Sequence, residues 1–167
     1  MRDVELIIRY FSFRNLLGNY RGNMKDFLDK ACAFFNADWS KQKALLIQQL
    51  VELDEAHKTI MAAFRSEAPD YNYGKWVGDR FERRFNRAIF DVLIGTIVQP
   101  AVFASVMQDP KKLVSAFKEL CANDAKFVEA IERTTKSLES TRYRFQAWSA
   151  KLAAALNVKV SDPAIGV

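Results

Sequence analysis

Hydrophobic positions recur with helical spacing almost from the first residue. Val4, Ile7, Ile8, Phe11 and Leu16 fall near one helix face, and the stripe stops at Gly18, where GNYRGN reads as a loop. Asn23 can cap a second helix whose stripe is Met24, Phe27, Leu28, Ala31 and Phe35. Residues 36–39 interrupt it. Ser40 can then cap a long helix to about Arg65, with Leu46, Leu50, Leu53 and Ile60 inward. The loop SEAPDYNYGKWVGD follows, mixing Pro69, Gly74 and Gly78 with Tyr71, Tyr73 and Trp76.

Asp79 is the expected cap of the next helix, from Arg80 to about Gln99, with Phe81, Phe85, Ala88, Ile89 and Val92 on its core face. Pro100 must break or kink it. A short helix over Val102 to Met107 comes next. Asp109-Pro110 then gives a start signal for one reaching about Cys121. Asn123 is read as the cap of a helix to about Arg133, and a last helix runs from about Ser137 to Leu156. Strand-like alternation is confined to Val158 to Val160. The expected fold is all-α, an irregular bundle of about six or seven helices. Residues 1–156 form the helical domain and 157–167 a tail. Phe11, Phe27, Phe85 and Trp148 are expected in one core. A helix so close to Met1, with no cap before it, suggests the C-terminal part of a larger protein.

Composition narrows the function classes. Half of the 167 residues are hydrophobic and 13 are Phe, enough for a sizeable core. Charged residues make up 27%, which argues against disorder. No apolar run approaches a membrane span, and the N-terminus lacks the regions of a signal peptide, so a cytoplasmic location with no membrane partner is expected. Cys32 and Cys121 lie far apart and only one His is present, so neither clustered zinc ligands nor a cofactor is expected. Both cysteines read as reduced core thiols. A net charge of +5 permits phosphate, acidic protein or acidic headgroup partners without choosing among them.

Arg80, Arg83, Arg84 and Arg87 carry the sharpest charge pattern. On a helix these offsets would put four guanidiniums on one side, opposite Phe81, Phe85 and Ile89. An acidic surface or a phosphate backbone would relieve their repulsion, and Arg's planar fork suits both. The alternative is a solvated face neutralised by Glu82 and acids elsewhere. A second basic group, Arg133, Lys136, Arg142 and Arg144, would enlarge the patch if the fold brought the two together. The aromatic loop, Tyr71, Tyr73 and Trp76, either grips a protein partner or folds back as a lid over the core. His57 follows Asp54 and Glu55, but no nucleophile or glycine-rich phosphate loop accompanies it. Walker A, HExxH and GxSxG patterns are absent, so catalysis by this chain alone is not expected.

Four segments carry a family resemblance: RDVELIIRYFSF, YRGNMKDFLDKA, RRFNRAIFDVLI and FVEAIERTTKSLESTRYRFQAW. In order and spacing, from Arg2 to Trp148, they resemble the helical region that follows the catalytic domain in the GmrS-type family of modification-dependent restriction and phage-defence proteins. In that family a ParB-like domain hydrolyses nucleotide through a DGQQR motif, and many members add an HNH nuclease domain. Neither motif occurs here, so the resemblance carries over no NTPase or nuclease residue. It implies a helical scaffold with Arg9, Tyr20, Lys25, Arg84, Asn86, Asp91, Lys136 and Arg142 at matching positions. A ParB-like NTPase domain, upstream or on a separate chain, and DNA are the partners it implies. The bland alternative is a stand-alone helical protein-interaction module.

Overall fold

A computed structural model describes residues 2–133, 137–163 and 165. Among them the chain forms eight α-helices: α1 (Arg2–Leu16), α2 (Met24–Ala37), α3 (Trp39–Arg65), α4 (Arg87–Ile97), α5 (Pro100–Gln108), α6 (Pro110–Asn123), α7 (Ala125–Glu132) and α8 (Leu138–Leu156). No strand occurs among the described residues beyond one isolated antiparallel bridge, Trp76 to Phe81. The all-α irregular bundle expected from periodicity is the observed fold. No single helix among those residues is long and apolar enough to cross a membrane.

α4 is the axis. Nine of its eleven residues are buried, as a helix that is apolar all round requires. It packs against α1, α3, α5, α7 and α8, while α8 lies along α6 and α7. Aromatic rings fill the seams. Phe13 meets Phe27 and Phe145 at centroid distances of 5.8 Å, and Phe117 meets Trp148 edge-on at 5.8 Å. Trp148 is fully buried because its indole N–H donates to Thr96 Oγ1 at 2.8 Å. Phe27 and Trp148 are buried as expected, while Phe11 and Phe85 are half-buried against the core.

Several signals sit where expected. Asn23 accepts from the Asp26 N–H, Ser137 accepts from the Ser140 N–H, and Pro100 and Pro110 open α5 and α6. Others moved. α3 starts at Trp39, directly after Asp38, so Ser40 caps nothing. Asp124 rather than Asn123 caps α7, accepting from the Phe127 N–H at 2.8 Å. Leu50 is 43% exposed because the inward stripe of α3 runs Leu46, Gln49, Leu53, Ala56, Ile60. Gln49 tolerates burial through reciprocal amide bonds with Asn15, both 2.9 Å.

The largest correction concerns Arg80 to Asn86, which are not helical. Asn86, not Asp79, is the cap: its Oδ1 accepts from the N–H groups of Ala88 (2.8 Å) and Ile89 (3.2 Å). Upstream the backbone pairs with itself as a narrow hairpin. The Glu82 N–H donates to the Lys75 carbonyl (2.8 Å) and the Val77 N–H to the Arg80 carbonyl (2.9 Å), around Gly78 at φ 90°. Gly74 permits the closure, since a Cβ there would lie 1.7 Å from the Glu82 carbonyl oxygen. Phe81 is thereby driven into the core against Phe64, Tyr71 and Phe117.

Three buried charges tie the bundle together. Asp91 of α4 accepts from Arg9 Nε of α1 at 3.1 Å and from Arg9 Nη2, and Arg144 Nη2 of α8 lies 3.8 Å from its Oδ2. Burial pulls the Arg9 pKa down, but the charge and hydrogen bonds of Asp91 outweigh it, and the net direction is up. Burial pushes Arg144 down to about 10 against the pull of Asp91, so it stays charged at neutral pH. Removing the shared carboxylate would strand two guanidiniums away from water. Asp91→Ala is therefore expected to lower unfolding free energy by about 3–5 kcal/mol in urea denaturation. A loss under about 1 kcal/mol would show that the charges are solvated.

Candidate functional site

The loop that fails to become a helix makes the principal cleft. Arg80 to Arg87 form one wall, Glu5 and Arg9 of α1 with Met24, Lys25 and Leu28 of α2 form another, and Ile131 and Glu132 of α7 close the end. The cleft is open and encloses about 1140 Å³. All four arginines singled out by sequence line it, so the expectation that they share a surface holds while its reason does not. Three of them hang from loop backbone; only Arg87 is helical.

The acids of the cleft are already committed. Lys75, its side chain 12% exposed, lies between Glu82 (3.6 Å) and Glu132, with which it forms a close ion pair. Burial lowers the Lys75 pKa, but those carboxylates outweigh it and the net direction is up. Glu5 binds Arg87, Oε1 to Nε at 3.0 Å, and Arg9 is held by Asp91. Cations outnumber acids in the lining, six against three. Arg80 and Arg83 have side chains 76% and 88% exposed, with only long contacts to exposed Asp79 (3.6 Å) and Asp70 (3.4 Å). Such pairs are nearly worthless in water. Arg84 is exposed and forms no ion pair among the described residues. Lys25 has only the exposed Asp29, 3.5 Å away.

Of the second basic group, Arg133, Arg142 and Arg144 do not line this cleft. Arg144 is in the core, and Arg142 donates from Nε to the Ile165 carbonyl at 2.9 Å, holding the tail. Lys136 lies outside the described residues. The aromatic loop is a lid rather than a grip: Tyr71 and Tyr73 are each 1% exposed, with Tyr71 stacked on Phe64 at 4.2 Å. Trp76 is half-buried against Phe81 at 4.9 Å, and Lys118 Nζ sits over its ring at 4.5 Å. A protein-gripping loop needs these rings in solvent, and two of the three are in the core.

A second cleft of about 920 Å³, between α1, α3 and the aromatic loop, shares Arg84, Phe85 and Arg87 with the first. His57 lies here. Its Nδ1 is 2.8 Å from the Tyr73 hydroxyl, while Asp54 pairs with Lys58 at 2.6 Å instead. The His–Asp couple that sequence spacing allowed is thus not formed. Tyr73 adopts φ 54°, a left-handed conformation that costs a non-glycine residue about 1–2 kcal/mol and is held here by burial and the His57 contact. Cys121 is buried and its thiol is pushed up to about 12, which leaves it protonated and inert. No group of three His, Cys, Asp or Glu that could hold a metal occurs among the described residues.

Sequence reasoning missed Arg9, Asp91 and Arg144 as a buried trio, Lys75 as the sink for two carboxylates, and Lys25 as a cleft residue in its own right. Asp91 in the middle of an apolar run was the available signal. No family model, curated protein or solved structure matches the chain.

Two outcomes follow. Trp76→Ala is expected to lower stability by about 1–3 kcal/mol, a half-buried share of the usual aromatic truncation, as read by urea midpoint. An unchanged midpoint would return Trp76 to the surface. Burial, and then the charge of Arg65, depress the His57 pKa below 6.5. Because the unfolded chain takes up the proton first, stability is full above about pH 6.5 and falls as pH drops through the lower folded value. His57→Gln should flatten that slope between pH 7 and 5.

Proposed function

We propose that this chain is a non-catalytic helical domain that binds the phosphate backbone of a nucleic acid in the cleft between α1, α2 and the 80–86 loop. One observation carries the reading. The cleft presents Lys25, Arg80, Arg83 and Arg84 to solvent: the first three have only exposed acids 3.4–3.6 Å away, and Arg84 forms no ion pair among the described residues. Three guanidiniums within five residues repel one another, and a polyanion relieves that repulsion. The net charge of +5 favours approach of such a partner. Engagement of His57 by Tyr73 and of Asp54 by Lys58 supports binding rather than chemistry in the neighbouring cleft.

The resemblance to GmrS-type proteins supplies the wider setting, a restriction or defence protein in which a helical domain packs on a ParB-like NTPase domain. Ile47, Leu50 and Val51 of α3, at i, i+3 and i+4, are each about half exposed. Apolar side chains so grouped favour docking against a further domain. We assign that face to the companion domain and the cleft to the nucleic acid.

Fluorescence anisotropy with a labelled oligonucleotide across a salt series tests the cleft. Affinity should fall with a log–log slope of about −3, the mark of three or four phosphate contacts. Arg84→Ala should weaken binding to all sequences alike and reduce the slope by about 1. No binding at low salt, or indifference to salt, would remove the proposal.

A further inference from the structure

Shape and floor chemistry say which nucleic acid the cleft takes. Proteins that read duplexes push a convex helix or ribbon into a groove. Here the cationic surface is concave, and its arginines share the lining with apolar Leu28 and Phe85, both partly exposed. A rigid duplex keeps its phosphates outermost and its base faces stacked inside, out of reach of an aromatic side chain. A flexible strand can lay phosphates on the walls and turn bases inward.

Phe85 supplies the place for a base. It is half-buried, and its ring meets Tyr73 edge-on at 5.4 Å and Phe90 at 6.0 Å. Its neighbour Arg84 is exposed, and Arg84, Phe85 and Arg87 line both the 1140 Å³ cleft and the 920 Å³ cleft beside it. An aromatic ring set among guanidiniums in a cationic hollow is the arrangement by which single strands are held without sequence preference, and the adjoining hollow also carries Asp3 and Asp54. We infer that the ligand is a single strand that runs along the 1140 Å³ cleft, its phosphates on Arg84 and the flanking arginines and one base stacked on Phe85. The inference rests on the phosphate-binding reading above.

The test uses the whole chain with four labelled probes: oligo-dT, oligo-rU, a mixed-sequence DNA duplex of equal length, and inorganic polyphosphate. The single strands should bind at least tenfold tighter than the duplex. Phe85→Leu, which keeps apolar volume but removes the π face, should weaken strand binding about tenfold, leave polyphosphate binding unchanged and retain the wild-type melting temperature within a few degrees. Phe85→Trp should restore strand affinity. The preference between dT and rU identifies which strand chemistry the cleft takes. Equal or tighter duplex binding, or full strand affinity in a folded Phe85→Leu, would overturn the single-strand inference and leave the phosphate reading standing. Failure of all four probes at low salt would overturn both.

Discussion

The position of α1 against α4 depends on a carboxylate shielded from solvent. Asp91 sits on the most buried helix of the bundle and is neutralised from two sides, by Arg9 of α1 and by Arg144 of α8. Apolar contact alone is permissive about register, because one leucine face slides over another at modest cost. Buried charges are not permissive, since any displacement leaves an ion unpaired in a medium that cannot solvate it. The trio therefore selects one arrangement of three helices far apart in sequence. Arg9 also lines the cationic cleft, so the contact that orders the core lies at the cleft's edge.

Partition of charge makes the cleft cationic. The chain carries nearly as many acids as bases, 20 against 25, and a random scattering would neutralise any patch. Lys75 prevents this by drawing Glu82 and Glu132 to itself. The hairpin over residues 75–82 places it there, and the hairpin depends on Gly74 lying against the Glu82 carbonyl. Phe81 anchors the returning limb in the core, which leaves the next residues to hang their guanidiniums outward.

Much of the fold was legible because helices are local objects. Spacing of apolar residues, Asn23 and Ser137 as caps, and Pro100 and Pro110 at helix starts all act within a few residues. Arg80 to Asn86 show where local reading fails. Their periodicity is helical, yet the backbone of Glu82 is claimed by Lys75 and the Asn86 side chain both caps α4 and donates to the Ile131 carbonyl of α7 at 2.8 Å. Lys75 is only seven residues from Glu82, but the pairing competes with a helical pattern, and Ile131 lies 45 residues from Asn86, outside any local window.

By itself the sequence determined the helical class, the positions of most breaks, the excess of positive charge and the concentration of arginine between 80 and 87, because each follows from composition or from neighbours along the chain. Tertiary structure alone decided that Tyr71 and Tyr73 are core, that Arg144 is buried while Arg84 is exposed, and that Glu82 and Glu132 pair with Lys75. These outcomes turn on which distant groups share a low-dielectric interior and which face water, and that is set only when all the helices pack at once.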